Sequence, residues 1–527
     1  MRSIPWKLWT IALLSSVLQI LPFPIAGPVP SWRRAVCWVC LTPLFFLLLK
    51  GRDRSSSGLR ISHGAWLGYA SGAAWYAGNC YWIYQTMYLY GGIPKPLSFG
   101  ILILFSLYLG LYHAAFGALL VWFRRITSAE AALLVAPFLW VSIEMARSRI
   151  TGFPWDLLGY AQVDNLSLIK LAPWTGVMGL SFLIAAVNAI WLFPMLSKQK
   201  RLSLTSCAAA FVFILWTVAS SHSVNWKEAS PGSAVLLQEN LGVGTEGANS
   251  QESKDQMLRA FSWLSEHPTQ GTSTSPQLII WPEAPTSFVD TDPILRQAMS
   301  KLAQDMKAPV IVNDVSFAER NPNGRYDLYN SASFYRPSGS YAGRYDKMHL
   351  VPFGEYTPYK PLFFFVGHLL DDLPFIPGTK RTVFDVDGGH YGVFICYESI
   401  FGDEIREFAK NGAQVLVNIS DDGWYGDTSA PWEHLDMARM RAIENHRWLL
   451  RATNTGITTV INPLGQTMET LPRHTRGSLV AHFAYENDLT FYTRYGDWFA
   501  WSSVAIVVLA LAVGEGRARF MRPEDVH

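Results

Sequence analysis

The chain has 527 residues, of which 50% are hydrophobic and only 16% are charged, and its formal net charge is +2. This length allows two or three domains, and the absence of a concentrated basic patch gives nucleic-acid binding no electrostatic support. The mean hydropathy of +0.14 is high for a soluble enzyme. Apolar residues are concentrated in 1–221 and near 498–514, whereas 225–490 has mixed polarity. We therefore predict a membrane part and a separate polar domain.

Eight apolar stretches predict membrane-spanning helices. Several approach the roughly 20 apolar residues needed to cross a bilayer, and Trp and Tyr stand near their ends, as is usual in the headgroup region. The predicted spans are 8–26, 35–49, 62–86, 98–122, 129–146, 177–196, 203–221 and 498–514. The short stretches 35–49, 129–146 and 498–514 are alternatively core or re-entrant helices. The first stretch is alternatively a cleaved signal peptide, although Pro28 and Pro30 fit a cleavage site poorly.

The charges between the apolar stretches predict the orientation of the chain. With the N-terminus in the cytoplasm, most Lys and Arg residues of the connecting segments lie on the cytoplasmic side, as the positive-inside rule requires. The polar domain then lies on the periplasmic face of a bacterial inner membrane. We predict a bundle of seven spans over 1–224, a periplasmic domain over 225–490, and a last span with a cytoplasmic tail over 491–527.

The five cysteines divide unevenly between the two parts. Four lie in apolar segments, namely Cys37, Cys40, Cys80 and Cys207. Cys37 and Cys40 have metal-like spacing, but without a second ligand pair apolar packing is the better interpretation. Cys396 is the only cysteine of the polar domain, so it has no partner there for a disulfide. A lone thiol in this compartment is either buried and inert or chemically used.

Short strands and helices alternate along the polar domain. The apolar patterns predict helices over 253–266, 293–307, 400–410 and 430–446. They predict strands near 233–241, 278–281, 310–312, 331–336, 340–346, 392–395, 415–417, 448–453, 457–461 and 478–483. This order indicates two sheets covered by helices, arranged in layers.

Glu283 and Cys396 each follow an apolar strand directly. Since ligands collect beyond the carboxyl ends of strands in open α/β sheets, the two side chains are expected to converge. A thiol with an ordinary pKa of about 8.5 needs a base or a nearby cation. Glu283 offers the base, and Lys347 offers a cation for the thiolate and then for an oxyanion. Glu355 offers a second carboxylate that either holds Lys347 in place or shares the proton.

Each of these residues alone has a simpler interpretation, as a solvated Glu, an exposed Lys or a packed Cys. The surrounding segments add specificity: Trp281-Pro282-Glu283, Lys347 with His349-Leu350-Val351-Pro352-Phe353-Gly354-Glu355, Cys396-Tyr397-Glu398, Asn418–Gly426, Arg441–Asn445, Arg451–Gly456 and Gly152-Phe153-Pro154-Trp155. The first three segments resemble the Glu-Lys-Cys triad of the nitrilase superfamily. More narrowly, they resemble its membrane branch, the apolipoprotein N-acyltransferases, over nearly the whole chain.

The resemblance implies a membrane α-helical bundle of about eight spans and an α/β nitrilase-like domain built as a layered α-β-β-α sandwich. It implies that Cys396 takes an acyl chain from a phospholipid as a thioester. The N-terminal α-amine of an S-diacylglyceryl-cysteine apolipoprotein then receives that chain. Glu283, Lys347 and Cys396 are the implied catalytic residues, and Glu355, Tyr397 and Glu398 support them. No cofactor, metal or nucleic acid is implied, and a monomer is our default.

Two rival functions share this sequence pattern. In a membrane-tethered nitrilase-like amidase or hydrolase with the same triad, water would take the second step. A non-enzymatic scaffold for lipoprotein sorting would retain the triad unused. The apolar bundle favours a lipid donor, and the intact triad disfavours the scaffold.

Other features of the polar domain bear on substrates. The family usually carries a Trp in the loop after its first strand, but residues 242–256 contain none, and Asn313-Asp314 stands where a smaller residue is expected. The apolar stretch 361–377, with Phe363 and Phe364, is either a helix on the core or a mobile arm that touches the bilayer. Trp424 and His434 either line the substrate pocket or pack in the interior.

Overall fold

The computed structural model describes residues 4–50, 59–197, 199–220, 232–243, 253–272, 275–283, 288–320, 326–356, 375–386 and 388–520. The chain forms two compact units. The helical unit comprises Met1–Ser223, Asp427–Asp436 and Tyr495–His527, and the α/β unit comprises Val224–Gly426 and Met437–Arg494. The sequence patterns did not anticipate that Asp427–Asp436 would group with the helices. The predicted domain boundaries near 224 and 490 stay a prediction.

Helices form most of the described part of the first unit. Their bounds are Trp6–Ile20, Ser31–Ala35, Thr42–Leu49, Ile61–Asn79, Trp82–Gln85, Lys95–Ile126, Ala129–Ala146, Ala172–Thr175, Val177–Ile190, Phe193–Leu196, Lys200–Ala219 and Trp498–Phe520. Small residues let two of them approach closely. A Cβ on Gly68 would lie 2.2 Å from the carbonyl oxygen of His113, and one on Gly117 would lie 2.2 Å from that of Gly64. Backbone contact through glycines of this kind is typical of membrane helix pairs.

Four helical segments of the described residues are long and apolar enough to cross a membrane: Ser31–Leu49, Lys95–Ile126, Ala129–Thr151 and Trp498–Arg519. They include the stretches 35–49, 129–146 and 498–514 that the sequence left as short. They are longer than predicted because helical turns continue into polar flanks. Trp6–Ile20, Val177–Ile190 and Ser203–Thr217 are shorter apolar helices. The total of about eight spans stays a prediction.

Two six-stranded sheets form the second unit. The first has the order β12-β1-β2-β3-β4-β5 and the second the order β11-β10-β9-β8-β7-β6. The strands β1 to β12 are, in chain order, Gly232–Gln238, Leu278–Ile280, Val310–Arg320, Tyr326–Tyr335, Tyr341–Asp346, Val383–Val386, Gly389–Ile395, Val415–Ser420, Trp448–Thr453, Thr459–Ile461, Thr467–Thr470 and Gly477–Phe483. The alternation of strands and helices was predicted correctly, but β6 and β11 were missed. Both have four residues and are the outer strands of the second sheet. Such short strands carry too few residues for a clear apolar pattern.

The strand directions bring polar side chains together at the carboxyl ends of the strands, which form one edge of each sheet. In the first sheet, β2 and β3 are parallel, and two antiparallel pairings return β5 to the same direction. Glu283 after β2 and Lys347 after β5 therefore lie at the same edge. In the second sheet, β7, β8 and β9 are parallel, so Cys396 after β7 and Asp421 after β8 share an edge.

Two helices cover the first sheet, Lys254–Glu266 and Pro293–Met306. Ser253 and Gln256 form a capping box at the start of the first, and Asp292 caps the second. The predicted apolar face of the first helix is buried, in one cluster with the inner residues of β1 to β3. The helices Gly402–Lys410 and Ala430–Asn445 follow β7 and β8 in the chain. The layered α-β-β-α order stays a prediction.

Asp314 in β3 makes stability depend on pH. It is 2% exposed, and burial, reinforced by Asp290, raises the pKa of its carboxyl to about 7. An unfolded Asp has a pKa of about 3.9, so the folded protein binds this proton more tightly. The free energy of unfolding therefore falls as pH rises from about 4 to about 7. We expect Asp314→Asn to remove this loss, which is of the order of 1–4 kcal/mol at pH 8.

Thermal unfolding of wild type and Asp314→Asn at pH 5 and pH 8 measures the effect. The variant should gain in unfolding temperature more at pH 8 than at pH 5. Asp305→Asn, at an exposed carboxylate paired with Lys301, is the matched control and should change neither value. An equal gain at both pH values would contradict the assignment to Asp314.

Candidate active site

Cys396 occupies a strained turn at the end of β7. It begins the short helix Cys396–Ile400 with a φ of +49°, a left-handed conformation that non-glycine residues rarely adopt. The residue is 6% exposed. Burial and then the charge of Glu283 raise the pKa of its thiol, and Lys347 partly opposes them. At rest the sulfur is therefore protonated, and it needs a base to become a nucleophile. Strain of this kind is retained mainly at functional sites.

Lys347 lies between two carboxylates. Its Nζ donates to Glu355 Oε1 at 2.9 Å and lies 3.4 Å from Glu283 Oε1. Asn330 in β4 donates its amide Nδ2 to the same two oxygens, at 2.8 Å for Glu283 and 2.9 Å for Glu355. One ammonium and one amide thus hold both carboxylates in a fixed arrangement. We call these four side chains the carboxylate bracket.

The charge of Lys347 is kept although the residue is only 1% exposed. Burial opposes the charge, but attraction to Glu283, Glu355 and Cys396 outweighs burial and raises the pKa of the ammonium. A buried ammonium between two carboxylates remains charged across the physiological range. Its third neighbour, Cys396, would carry a negative charge once its thiol had lost the proton.

The second oxygen of Glu283 is held by the other sheet. Its Oε2 accepts the backbone N–H of Asp421 at 2.9 Å, just beyond β8. Asp421 itself is fastened, since its Oδ1 accepts from Gly423 N at 3.0 Å and from Asn454 Nδ2 at 3.1 Å. Burial and the nearby Glu283 raise the pKa of the Asp421 carboxyl. Glu283 is therefore oriented from both sheets, with its two oxygens assigned to different donors.

Glu398 joins the segment of Lys347 to that of Cys396. Its Oε1 accepts from the Tyr345 hydroxyl at 2.7 Å and from the backbone N–H groups of Met348 and His349 at 2.7 and 3.1 Å. Its Oε2 accepts from Ile395 N at 2.7 Å. Burial raises the pKa of Glu398, and these donated bonds oppose the rise. The carboxylate fixes the ends of β5 and β7 relative to each other.

Replacing Glu398 with Gln is expected to lower the free energy of unfolding by about 2–4 kcal/mol, because an amide nitrogen would face donors in either orientation. Thermal unfolding of the purified variant measures this loss. Glu407→Gln is the matched control, since Glu407 makes a partly exposed ion pair with Arg406 and should cost under about 0.5 kcal/mol. Equal unfolding temperatures for the two variants would contradict the role given to Glu398.

The remaining predicted residues have different surroundings. Tyr397 is buried, and its ring meets that of Phe401 edge-on at 5.3 Å. Trp424 follows β8 in the α/β unit and is 42% exposed. His434 is fully buried in the helical unit, where it stacks on Trp155 at 6.0 Å. Phe363 and Phe364 lie outside the described residues. The substrate-binding roles of Trp424, His434, Phe363 and Phe364 and the supporting role of Tyr397 stay predictions.

Among the described residues, His446, Glu486 and Asp488 form a group whose ligand atoms lie within 4.8 Å of one another. His446 of this group lies just before β9, at the amino end of that strand. The catalytic residues lie near the opposite, carboxyl end. Arg447 already lies 3.5 Å from Asp488. The carboxylates at the catalytic edge, Glu283 and Glu355, are bound by Lys347 and Asn330 rather than arranged as free metal ligands.

Sequence reasoning missed Asn330, Asp421 and the role of Asn313. Asn330 lies inside β4, away from any strand end, and its residue type carries no catalytic signal. Asn313 was noted only as a departure from the family pattern. Its Nδ2 donates to Asn330 Oδ1 at 2.8 Å and to the carbonyl oxygen of Ser331 at 2.8 Å. An amide inside an apolar strand was the one available signal, since a buried amide needs partners.

Known proteins match both parts of the chain. A carbon-nitrogen hydrolase family model matches residues 243–487, and one for the apolipoprotein N-acyltransferase N-terminal domain matches residues 5–190. The apolipoprotein N-acyltransferase of Geobacter metallireducens is 35% identical over 97% of this chain and 96% of its own length. That of Methylococcus capsulatus is 32% identical, over 99% and 98%. An amidase from Nesterenkonia sp. is 18% identical and covers 53% of this chain and 98% of its own, with a TM-score of 0.37.

The matched domains and the described helices define a class of protein: a carbon-nitrogen hydrolase domain of the nitrilase type joined to a helical part with four candidate apolar spans. The chain belongs to the apolipoprotein N-acyltransferase family. The predictions of an acyltransferase, a nitrilase-like domain and membrane helices are confirmed by this assignment.

Proposed function

We propose that the protein transfers an acyl chain from a phospholipid, through a thioester on Cys396, to the N-terminal α-amine of an S-diacylglyceryl-cysteine apolipoprotein. The observation that carries the proposal is the carboxylate bracket beside a buried thiol. It supplies one base and one permanent cation next to one nucleophile. The names of the relatives support acyl transfer to an apolipoprotein. The four candidate apolar spans favour a phospholipid donor, because phospholipid is the abundant acyl ester of a membrane.

In the first step, Glu283 accepts the proton of the Cys396 thiol, and the thiolate attacks the ester carbonyl carbon. The carbonyl oxygen becomes an oxyanion, which the Lys347 ammonium stabilises. When the C–O bond of the ester breaks, Glu283 returns the proton to the leaving oxygen. The products of this half-reaction are a lysophospholipid and a thioester, and no proton is gained or lost.

In the second step, the neutral α-amine attacks the thioester carbonyl. Glu283 accepts the amine proton, and Lys347 again stabilises the oxyanion. The C–S bond breaks, and the proton passes from Glu283 to the sulfur. The amide product leaves, and the thiol is restored. Glu355 keeps Lys347 in position during both steps, while Glu398 and Tyr397 support the segment around the sulfur.

The wider setting is part of the same proposal. It includes about eight spans and a monomeric protein. It also includes a layered α-β-β-α catalytic domain over 225–490 on the periplasmic side of a bacterial inner membrane. The proposed reaction needs no cofactor, because Glu283, Lys347 and Cys396 supply the base, the cation and the nucleophile.

Intact-mass spectrometry of the purified protein mixed with phospholipid tests the proposal. We expect the protein to gain the mass of one acyl chain and to lose it when an S-diacylglyceryl-cysteine peptide is added. The same peptide with an acetylated N-terminus is the matched control and should leave the adduct in place. Loss of the adduct in buffer at the same rate as with the peptide would indicate the hydrolase instead. An unmodified protein would overturn the proposal.

A further inference from the structure

The orientation of the Asn330 amide decides whether it attracts or repels the two carboxylates of the carboxylate bracket. Both oxygens that it contacts belong to carboxylates, so only its Nδ2 side is compatible with them. An amide nitrogen has two N–H groups, and here each is committed to one carboxylate. If the amide were turned by half a rotation, its oxygen would face Glu283 and Glu355. That arrangement would replace two attractive contacts by two repulsive ones beside the catalytic base.

Asn313 provides the contact that selects this orientation. It lies on β3, opposite Ala332 of β4, and is 7% exposed. Its Nδ2 donates to Asn330 Oδ1 at 2.8 Å, on the side away from the carboxylates, and to the carbonyl oxygen of Ser331 at 2.8 Å. Hydrogen bonds therefore run in one direction, from Asn313 to Asn330 and from Asn330 to Glu283 and Glu355. A turned Asn330 would place its amide nitrogen against the nitrogen of Asn313.

We propose that Asn313 is a positioning residue of the acyl-transfer site, which acts through Asn330 to hold Glu283 and Glu355 against Lys347. The inference rests on the proposed function. The side chain of Asn313 donates to Asn330, and Asn330 donates to Glu283 and Glu355, so its effect on the base passes through the Asn330 amide. Its place in the chain is the one where the sequence departed from the expected smaller residue. A smaller side chain there would lack the N–H groups that donate to Asn330 Oδ1 and to the carbonyl oxygen of Ser331.

The effect should appear in the chemical step and not in lipid binding. Loss of the bond from Asn313 removes a donor that fixes two charged groups, and the expected cost is about 10- to 100-fold in rate. The rate of acylation of Cys396 at saturating phospholipid should fall by this factor in Asn313→Ala. The phospholipid concentration that gives half of the maximal rate should stay unchanged, because Asn313 is buried and its amide bonds Asn330 and Ser331.

A double-mutant cycle separates positioning from a general loss of structure. The four proteins are wild type, Asn313→Ala, Asn330→Ala and the double variant, each followed by intact mass after mixing with phospholipid vesicles. If Asn313 acts through Asn330, the double variant should be no slower than Asn330→Ala alone. Asn462→Ala is the control, since Asn462 is a buried amide of a distant turn that bonds Gln466, and its acylation rate should be that of wild type.

The proposal would be overturned if the double variant lost acylation rate by the product of the two single losses. A wild-type acylation rate in Asn313→Ala would also overturn it. Should Asn313→Ala fail to fold, Asn313→Ser replaces it in the cycle, because Ser fits a strand and lacks the amide donor. Alkylation of Cys396 by iodoacetamide in the same four proteins needs no lipid. If the wild-type protein takes up no acyl chain, only the proposed function is contradicted. The alkylation rates of the four proteins then test the role of Asn313 separately.

Discussion

Cys396→Ala mixed with phospholipid vesicles is expected to show no gain in mass, a loss of at least about 10³-fold in acyl uptake. In the proposed reaction the sulfur is the atom that forms the new bond, and the carboxylates and the charged Lys347 of the carboxylate bracket would not form a stable acyl adduct in its place. Cys396→Ser should also fall by orders of magnitude, because a hydroxyl loses its proton far less readily than a thiol. Intact-mass spectrometry at several times after mixing measures both losses.

The control for this prediction is Cys207→Ala. Cys207 is the partly exposed cysteine of the helical unit, and its removal should leave acyl uptake unchanged. The fold of Cys396→Ala is checked by its unfolding temperature, which should remain close to that of wild type. An acyl adduct on Cys396→Ala in wild-type amount would place the nucleophile elsewhere and remove the mechanism given above.

Lys347→Met is expected to lower the rate of acyl uptake by about 10²- to 10³-fold, because the oxyanion loses its stabilising cation. It should also destabilise the fold by about 3–5 kcal/mol, since the carboxylates of Glu283 and Glu355, which are only 12% and 13% exposed, are left without their ammonium partner. Intact mass measures the first effect and thermal unfolding the second. Lys301→Met removes an exposed Lys that pairs with Asp305, and it should change neither quantity.

A second substitution separates the two roles of Lys347. In Lys347→Met with Glu355→Gln, one of the uncompensated charges is gone, so part of the lost stability should return. Acyl uptake should stay low, because the cation is still missing. Recovery of both quantities together would mean that Lys347 serves the fold and not the reaction. Near-normal acyl uptake by Lys347→Met alone would remove Lys347 from the mechanism.

The sequence predicted the alternation of strands and helices and the residues at the ends of strands, because burial leaves a direct pattern in the chain. Glu283 and Cys396 were found in this way, since each follows an apolar run that forms β2 or β7. The pattern was weaker at sheet edges, where β6 and β11 were missed. It was misleading in β3, where Asn313, Asp314 and Ser316 extend a strand predicted to end at 312, because the backbone pairing with β4 continues through these polar residues.

By itself, the sequence determined the apolar and polar parts of the chain and the chemistry of a thiol, a carboxylate and an ammonium. These properties depend on residue type and on neighbours in the chain. Only the tertiary structure decided that Asn330 lies between Glu283 and Glu355, that Asp421 holds Glu283, and that His434 belongs with the helices. Such contacts join residues far apart in sequence. Their geometry is set by strand register and side-chain packing, which no local pattern records.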